Sequence, residues 1–200
     1  MLTQLTTVKA RLGIAPADTT QDDLLTRAIG AVSARFDREL NRTLARTVGI
    51  TQEFPAGDSE IIAQCYPVET VTKFELKATE AEGWIEQTGM NWVLRQACVI
   101  SLSVPLTFVP QGALVGPQLG RVTYTGGYVL PGTTPSPGQT ALPADLESAA
   151  VEQVSVWHQQ RDKLGLFRHW PSSGTYLVFS QLPLLPQVVA MIRPYRRWSV

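Results

Sequence analysis

The stretch TTQDDLLTRAIGAVSARFDRELNR, residues 19–42, constrains the fold more than any other part of the chain. Its apolar residues Leu24, Leu25, Ala28, Ile29, Val32, Phe36 and Leu40 recur every three or four positions, the spacing of one face of an α-helix. Thr20 with Asp23 three residues later has capping-box spacing, and Asp22 and Asp23 suit the positive end of a helix dipole. At Thr47 the period drops to two: TVGITQEF alternates through Val48, Ile50 and Phe54. A helical stripe needs a partner to bury it and an alternating segment needs a sheet, so the fold class is α+β.

The rest of the chain follows the same division. Ahead of the long helix, LTQLTTVKARLG sets Leu5, Val8 and Leu12 at helical spacing and stops at Gly13. Behind it, EIIAQC, TVTKFELK, NWVL and ACVISLSV read as strands, the last with Cys98, Ile100, Leu102 and Val104 on one face, and GRVTYTGGY adds another. LPGTTPSPGQTALP is too rich in Pro, Gly and Thr for regular structure. A third helix spans LPADLESAAVEQVSVWHQQRDKLG, with Pro143 in the first turn, Asp145 and Glu147 near the start, and Leu146, Ala149, Ala150, Val154, Trp157 and Leu164 in period before Gly165. TYLVFS reads as a strand. LPLLPQVVAMIRP carries Leu184, Leu185, Val188, Val189 and Ile192 on a fourth helix, with Pro186 near its start and Pro194 at its end. The expectation is a bundle of about four helices with one small antiparallel sheet inserted between the second and third. It divides into N-terminal helices over 1–46, a β region over 47–128, a loop over 129–142, C-terminal helices over 143–192 packing on 1–46, and a tail over 193–200.

Two hundred residues at 44% hydrophobic content are enough for a packed core. Lys+Arg and Asp+Glu are equal at 17, so the whole-protein field gives no general attraction to DNA or to anionic membrane. The balance is local. Residues 50–90 hold eight acids (Glu53, Asp58, Glu60, Glu69, Glu75, Glu80, Glu82, Glu86) against Lys73 and Lys77, whereas from Arg161 onward six bases face Asp162 alone. One end of the molecule is expected to be acidic and the other basic, which suits head-to-tail contact between copies as well as contact with a polyanion. No run of about 18 apolar residues occurs and the N-terminus lacks the pattern of a signal peptide, so a soluble cytosolic protein is expected. In that compartment Cys65 and Cys98, both in apolar strand-like runs, read as buried free thiols.

Three groups of residues are candidates for function. The tail holds Arg193, Tyr195, Arg196, Arg197 and Trp198 without an acid, which fits a docking segment, a loosely held terminus, or a surface for base stacking and phosphate contact. Arg27, Arg35, Arg38 and Arg42 fall on the polar side of the long helix, as a channel or subunit-contact face or as a plain solvated face interspersed with Asp37 and Glu39. Phe167, Trp170, Tyr176 and Phe179 are many aromatics for a connecting region, and either finish a core or form a patch between subunits. Trp157 reads as core. Nothing points to catalysis or a cofactor: His158 and His169 have no metal-ligand spacing, Ser172 and Ser173 sit in no nucleophile elbow, and TGGY lacks the Lys of a phosphate-binding loop.

The order of these pieces resembles the head-tail connector, or adaptor, proteins of long-tailed bacteriophages, in particular larger members with a β insertion. The opening LTTVKARLGIAPADTTQDDLLTRAIGAVSARFDRELNRTL, the strand RVTYTGGY, and the closing LPADLESAAVEQVSVWHQQRD and LPLLPQVVAMIRPYRR carry the resemblance. It implies a structural virion protein, made in the host cytoplasm and placed at the neck. Copies would form a ring, dodecameric like the portal above it, extend the DNA channel with transient contact to the genome, and offer a platform to a stopper or tail-side neck protein. The tail would then dock on the portal ring, with no membrane and no cofactor involved. A stopper or head-completion role one layer further out, and a small DNA-binding module, are the alternative readings.

Overall fold

The computed structural model describes residues 1–104, 106, 118–161, 166–168, 178–179 and 184–197. Among the described residues it is mixed α and β, with four α-helices and mainly antiparallel sheets, and the chain divides into two compact units.

The first unit is helical and comprises residues 1–40, 130–132 and 142–196. Helix α1, Leu5–Leu12, ends at Gly13, whose φ of 70° lets its amide and that of Ile14 bond back to Ala10 and Lys9. Lys9 is buried at 3% exposure, and its Nζ donates to the carbonyls of Pro16 (3.1 Å) and Asp18 (2.6 Å) and to the Asp22 carboxylate (2.9 Å). One ammonium thereby satisfies the turn into helix α2, Asp22–Leu40. Thr20 does not cap that helix: its amide and hydroxyl both donate to Asp18 Oδ1, and Gln21 supplies the first carbonyl of the helical ladder. Leu25, Ile29, Val32, Phe36 and Leu40 are buried as the stripe predicts, but Leu24 lies outside it and is 49% exposed.

Helix α3, Ala144–Gln159, packs against α1 and α2 and against helix α4, Pro186–Ile192. Pro143 takes the N-cap position of α3, one residue ahead of the first turn expected for it. The buried face of α3 is Leu146, Ala149, Ala150, Val151 and Val154; Trp157 is half-buried. Two buried residues of α3 are polar: Ser155, whose hydroxyl donates to the Val151 carbonyl (2.7 Å), and Gln153, 1% exposed, whose side-chain oxygen accepts the Leu185 amide (2.9 Å) ahead of α4. Pro186 stands in the first turn of α4, and Val188 and Ile192 are buried while Val189 is 44% exposed. The α-helix ends at Ile192, ahead of Pro194 as expected, and a 3-10 turn over Arg193–Tyr195 follows it. Strands β10, Leu166–Arg168, and β11, Val178–Phe179, pair antiparallel in the same unit.

The second unit, residues 41–129, 133–141 and 197–200, holds β1–β9. Strands β1 (Thr47–Pro55), β7 (Leu119–Gly126), β3 (Val68–Lys77) and β4 (Ile85–Gln87) form one antiparallel sheet in that order. Strands β2 (Glu60–Ile62), β6 (Val99–Leu102) and β5 (Trp92–Arg95) form a second. The single sheet expected from sequence is therefore two, and they share one core: Phe54, Phe74, Val122 and Tyr124 from the first meet Ile61, Ile100 and Leu102 from the second. Val48 leaves the alternation and is 68% exposed, because the register shifts between Thr47 and Ile50 at Gly49, whose φ is 68°. Val104 lies past the end of β6 and is 56% exposed.

TGGY is a close-approach motif. A Cβ on Gly126 would stand 2.5 Å from the Cys65 carbonyl and one on Gly127, at φ 103°, 2.7 Å from that of Ala45. Within the proline-rich stretch, β9 (Thr140–Ala141) pairs in parallel with β8 (Tyr128–Val129).

Candidate assembly surfaces

The arginines of the long helix separate. Arg27 and Arg38 are exposed, and Arg35 is half-buried and pairs with Glu39 one turn on (3.5 Å). Arg42 is not on their face. α2 ends at Leu40, Asn41 turns the chain with φ 51°, and Arg42 is buried at 4% exposure, its guanidinium 3.2 Å from the Tyr66 ring centroid and 5.3 Å from that of Tyr128. Its Nη2 donates to the Tyr66 carbonyl. The sequence offered a signal for this stop, since Asn is among the few residues that enter the left-handed region at low cost.

In the tail, the Tyr195 hydroxyl donates to the Asp145 carboxylate at the start of α3 (2.7 and 2.8 Å to its two oxygens). Arg193 and Arg196 are exposed. Arg197 belongs with the β unit: it is half-buried and its Nη2 donates to the Ile62 carbonyl (2.7 Å). Trp198 lies outside the described residues, as do Trp170 and Tyr176 of the aromatic group. Phe167 and Phe179 fall in β10 and β11, whose backbones pair.

Half of the acidic run, Glu60, Glu69, Glu75 and Glu80, is paired within its own unit. Arg46 grips Glu69 with two parallel bonds (2.8 and 2.9 Å), Arg95 pairs with Glu60, and Lys77 with Glu80 (2.6 Å). Glu75, 5% exposed, accepts from Arg121 (2.8 Å) and Lys73 (3.0 Å), and Arg121 lies 4.3 Å from the Trp84 ring centroid. The hydrogen bond from Arg121, reinforced by Lys73, holds the Glu75 carboxyl below its ordinary value. Cross-strand register makes this network: Arg121 stands opposite Glu53 on one side and Glu75 on the other. Counting charge along the chain misses it, because Arg121 is 46 residues from Glu75.

A second polar knot lies inside the β core. The Tyr124 hydroxyl accepts from the amides of Gln64 (2.9 Å) and Cys65 (3.1 Å) and donates to Gln52 Oε1 (3.0 Å), while Gln52 Nε2 donates to the Ile62 carbonyl (2.9 Å). Burial pushes the Tyr124 phenol up, so it stays a neutral donor. The Cys65 thiol is buried against the carbonyls of Ala45 (3.3 Å) and Gly126 (3.2 Å), whereas Cys98 is half-buried in the β5–β6 turn rather than in the core, and the two are not joined in a disulfide.

Among the described residues, no three His, Cys, Asp or Glu come together as a metal site, and no helix is long and apolar enough to cross a membrane. His158 contacts Gln21 and Arg161, and burial holds its pKa below the usual value. His169, Ser172 and Ser173 lie outside the described residues.

On the helical unit an open groove of about 600 Å³ runs between α1 and α3, lined by Thr7, Arg11, Ala144, Glu147, Ser148, Val151 and Glu152.

No protein-family model matches the chain. No curated protein matches it either. Solved structures do. One chain in the neck of an empty gene transfer agent (GTA) particle, computed with C6 symmetry, is 17% identical with a TM-score of 0.57, over 98% of this chain and 90% of that one. A chain in the virion of a native GTA particle is 19% identical with a TM-score of 0.55, again over 98% and 90%. A chain in the neck of a native GTA particle, computed with C12 symmetry, is 18% identical with a TM-score of 0.50, over 98% and 89%. The chain thus shares, along nearly its whole length, the fold of chains in GTA particles.

Proposed function

We propose that this protein is a structural subunit of a particle neck: a head-tail adaptor that forms a ring beneath a portal, extends the DNA channel and carries the next stopper or tail component. The observation that supports it most is the match in fold over 98% of the chain to a chain in a GTA neck. Its charge distribution fits the role. A wall that lets DNA pass should not hold it, and with Lys+Arg equal to Asp+Glu and Glu60, Glu69, Glu75 and Glu80 of the β unit already paired, no large single-sign field builds up. The tail of Arg193, Tyr195, Arg196, Arg197 and Trp198 is the proposed portal-docking segment. Because Tyr195 and Arg197 are held within the chain, Arg193 and Arg196 are the most open of the tail's described residues.

Cosedimentation with purified portal rings, at low and high salt, tests this. The full chain should pellet with portal and a chain ending at Pro194 should not. Equal binding of both would move the docking site off the tail, and binding of neither would remove the adaptor reading and leave the stopper or DNA-binding alternatives.

A further inference from the structure

Resting on the ring reading, we infer that neighbouring copies join through two different surfaces of the helical unit: the outer face of α2 of one copy seats in the α1–α3 groove of the next. The outer face is the row opposite the buried stripe of α2, namely Leu24, Arg27, Ala31, Ala34 and Arg38, every member exposed, with Leu24 at 49%. Arg27 and Arg38 enter no ion pair among the described residues, unlike Arg35.

Between the two arginines the row holds only alanines, so a partner's backbone can come close. The groove is its complement. Glu147 and Glu152 are half-buried on its α3 wall with Ala144 and Ser148 in the same stripe, and Thr7 and Arg11 form the α1 wall. Both glutamates have light engagements within the chain, Glu147 accepting from Thr3 (3.3 Å) and Glu152 from Gln187 (2.7 Å), which leaves each carboxylate lone pairs for an arginine. The groove volume of about 600 Å³ is comparable with one turn of helix, roughly 400–600 Å³ from a 10–12 Å diameter and 5.4 Å pitch.

Charge also selects the symmetry. The α2 row facing itself would set arginines against arginines, so a two-fold dimer through that row is opposed by like charge. The groove carries two glutamates to the single Arg11 and is net negative, so row into groove is the pairing that charge favours. Such a contact is heterologous: each copy uses one surface and offers the other, so it propagates until rotation closes it into a ring. No subunit in a closed ring keeps an unused surface.

Charge reversal tests the pairing. Arg27→Glu with Arg38→Glu in one variant, and Glu147→Lys with Glu152→Lys in another, should each lower the yield of rings, alone or on portal, at least tenfold by mass photometry. All four changes in one chain should restore it. As a second probe, Ala34→Cys with Ser148→Cys in the full chain should give an oxidant-dependent ladder of intersubunit cross-links on a denaturing gel. Rings from either reversal variant at the wild-type yield, or no cross-linked ladder from assembled rings, would overturn the surface assignment and leave the ring reading standing. A wild-type chain that forms no ring, alone or on portal, would remove the ring reading and this inference with it.

Discussion

The two units of this chain reach stability by different means. The helical unit is a mainly apolar core with a few polar stitches, chiefly Lys9 at the turn into α2 and Gln153 to the Leu185 amide, and the apolar stripes of α2 and α3 follow a local period. The β unit is tied by polar groups whose partners are far away in sequence: Tyr124 to Gln64 and Cys65, Arg121 to Glu75, Arg46 to Glu69, and Arg42 between two tyrosines. Apolar burial is non-directional and tolerates sliding, whereas a hydrogen-bonded knot fixes one register. Short strands with two bulged ladders need that fixing; a nineteen-residue helix does not.

Substitutions can test the contrast one unit at a time, read by hydrogen exchange so that each unit reports separately. The largest effect is expected from Phe36→Ala, which leaves a hole in the helical core where the side chain is fully buried; it should cost about 3–5 kcal/mol and speed exchange in α2 and α3. Tyr124→Phe keeps the ring and removes one oxygen, yet the buried Cys65 amide and Gln52 lose a partner while the Gln64 amide keeps only Gln52 Oε1, so a cost of about 1–3 kcal/mol is expected, confined to β1, β3 and β7. Were the removal of that oxygen free, the β core would be apolar in the same sense as the helical one.

Acid sharpens the comparison further. Glu75 is held below its ordinary value of 4.5, so its contribution is fully present above that value and is lost as pH falls through the lowered one. The melting temperature of the Glu75→Gln variant should therefore lie below that of the wild type at neutral pH and converge with it in acid. A gap that stays constant with pH would show that Glu75 acts by packing alone. The smallest effect is a gain. Gln96 and Ala97 turn from β5 to β6 at φ 50° and 55°, closed by Cys98 N–H to the Arg95 carbonyl, a turn that favours glycine. Ala97→Gly should stabilise by roughly 0.5–1 kcal/mol, the relief of left-handed strain less the extra freedom of glycine in the unfolded chain.

The same contrast explains what the sequence disclosed. The end of α1 at Gly13, the stripe of α2 and the entry of α4 at Pro186 are legible because helical period, left-handed glycine and first-turn proline act within a few residues. The partition of the strands into two sheets, the burial of Arg42 and the pairing of Glu75 were not, since each depends on a residue more than twenty positions away. The α2 arginines were legible as a polar face, but the α1–α3 groove was not, because a groove belongs to two helices and to neither sequence alone.

The account turns on a closed ring, and the most direct measurement is single-particle electron microscopy of the full chain mixed with portal rings. It predicts copies of the chain in a closed cyclic arrangement on one end of the portal, with an open central channel. Open filaments, two-fold dimers, or portal with nothing attached would contradict it.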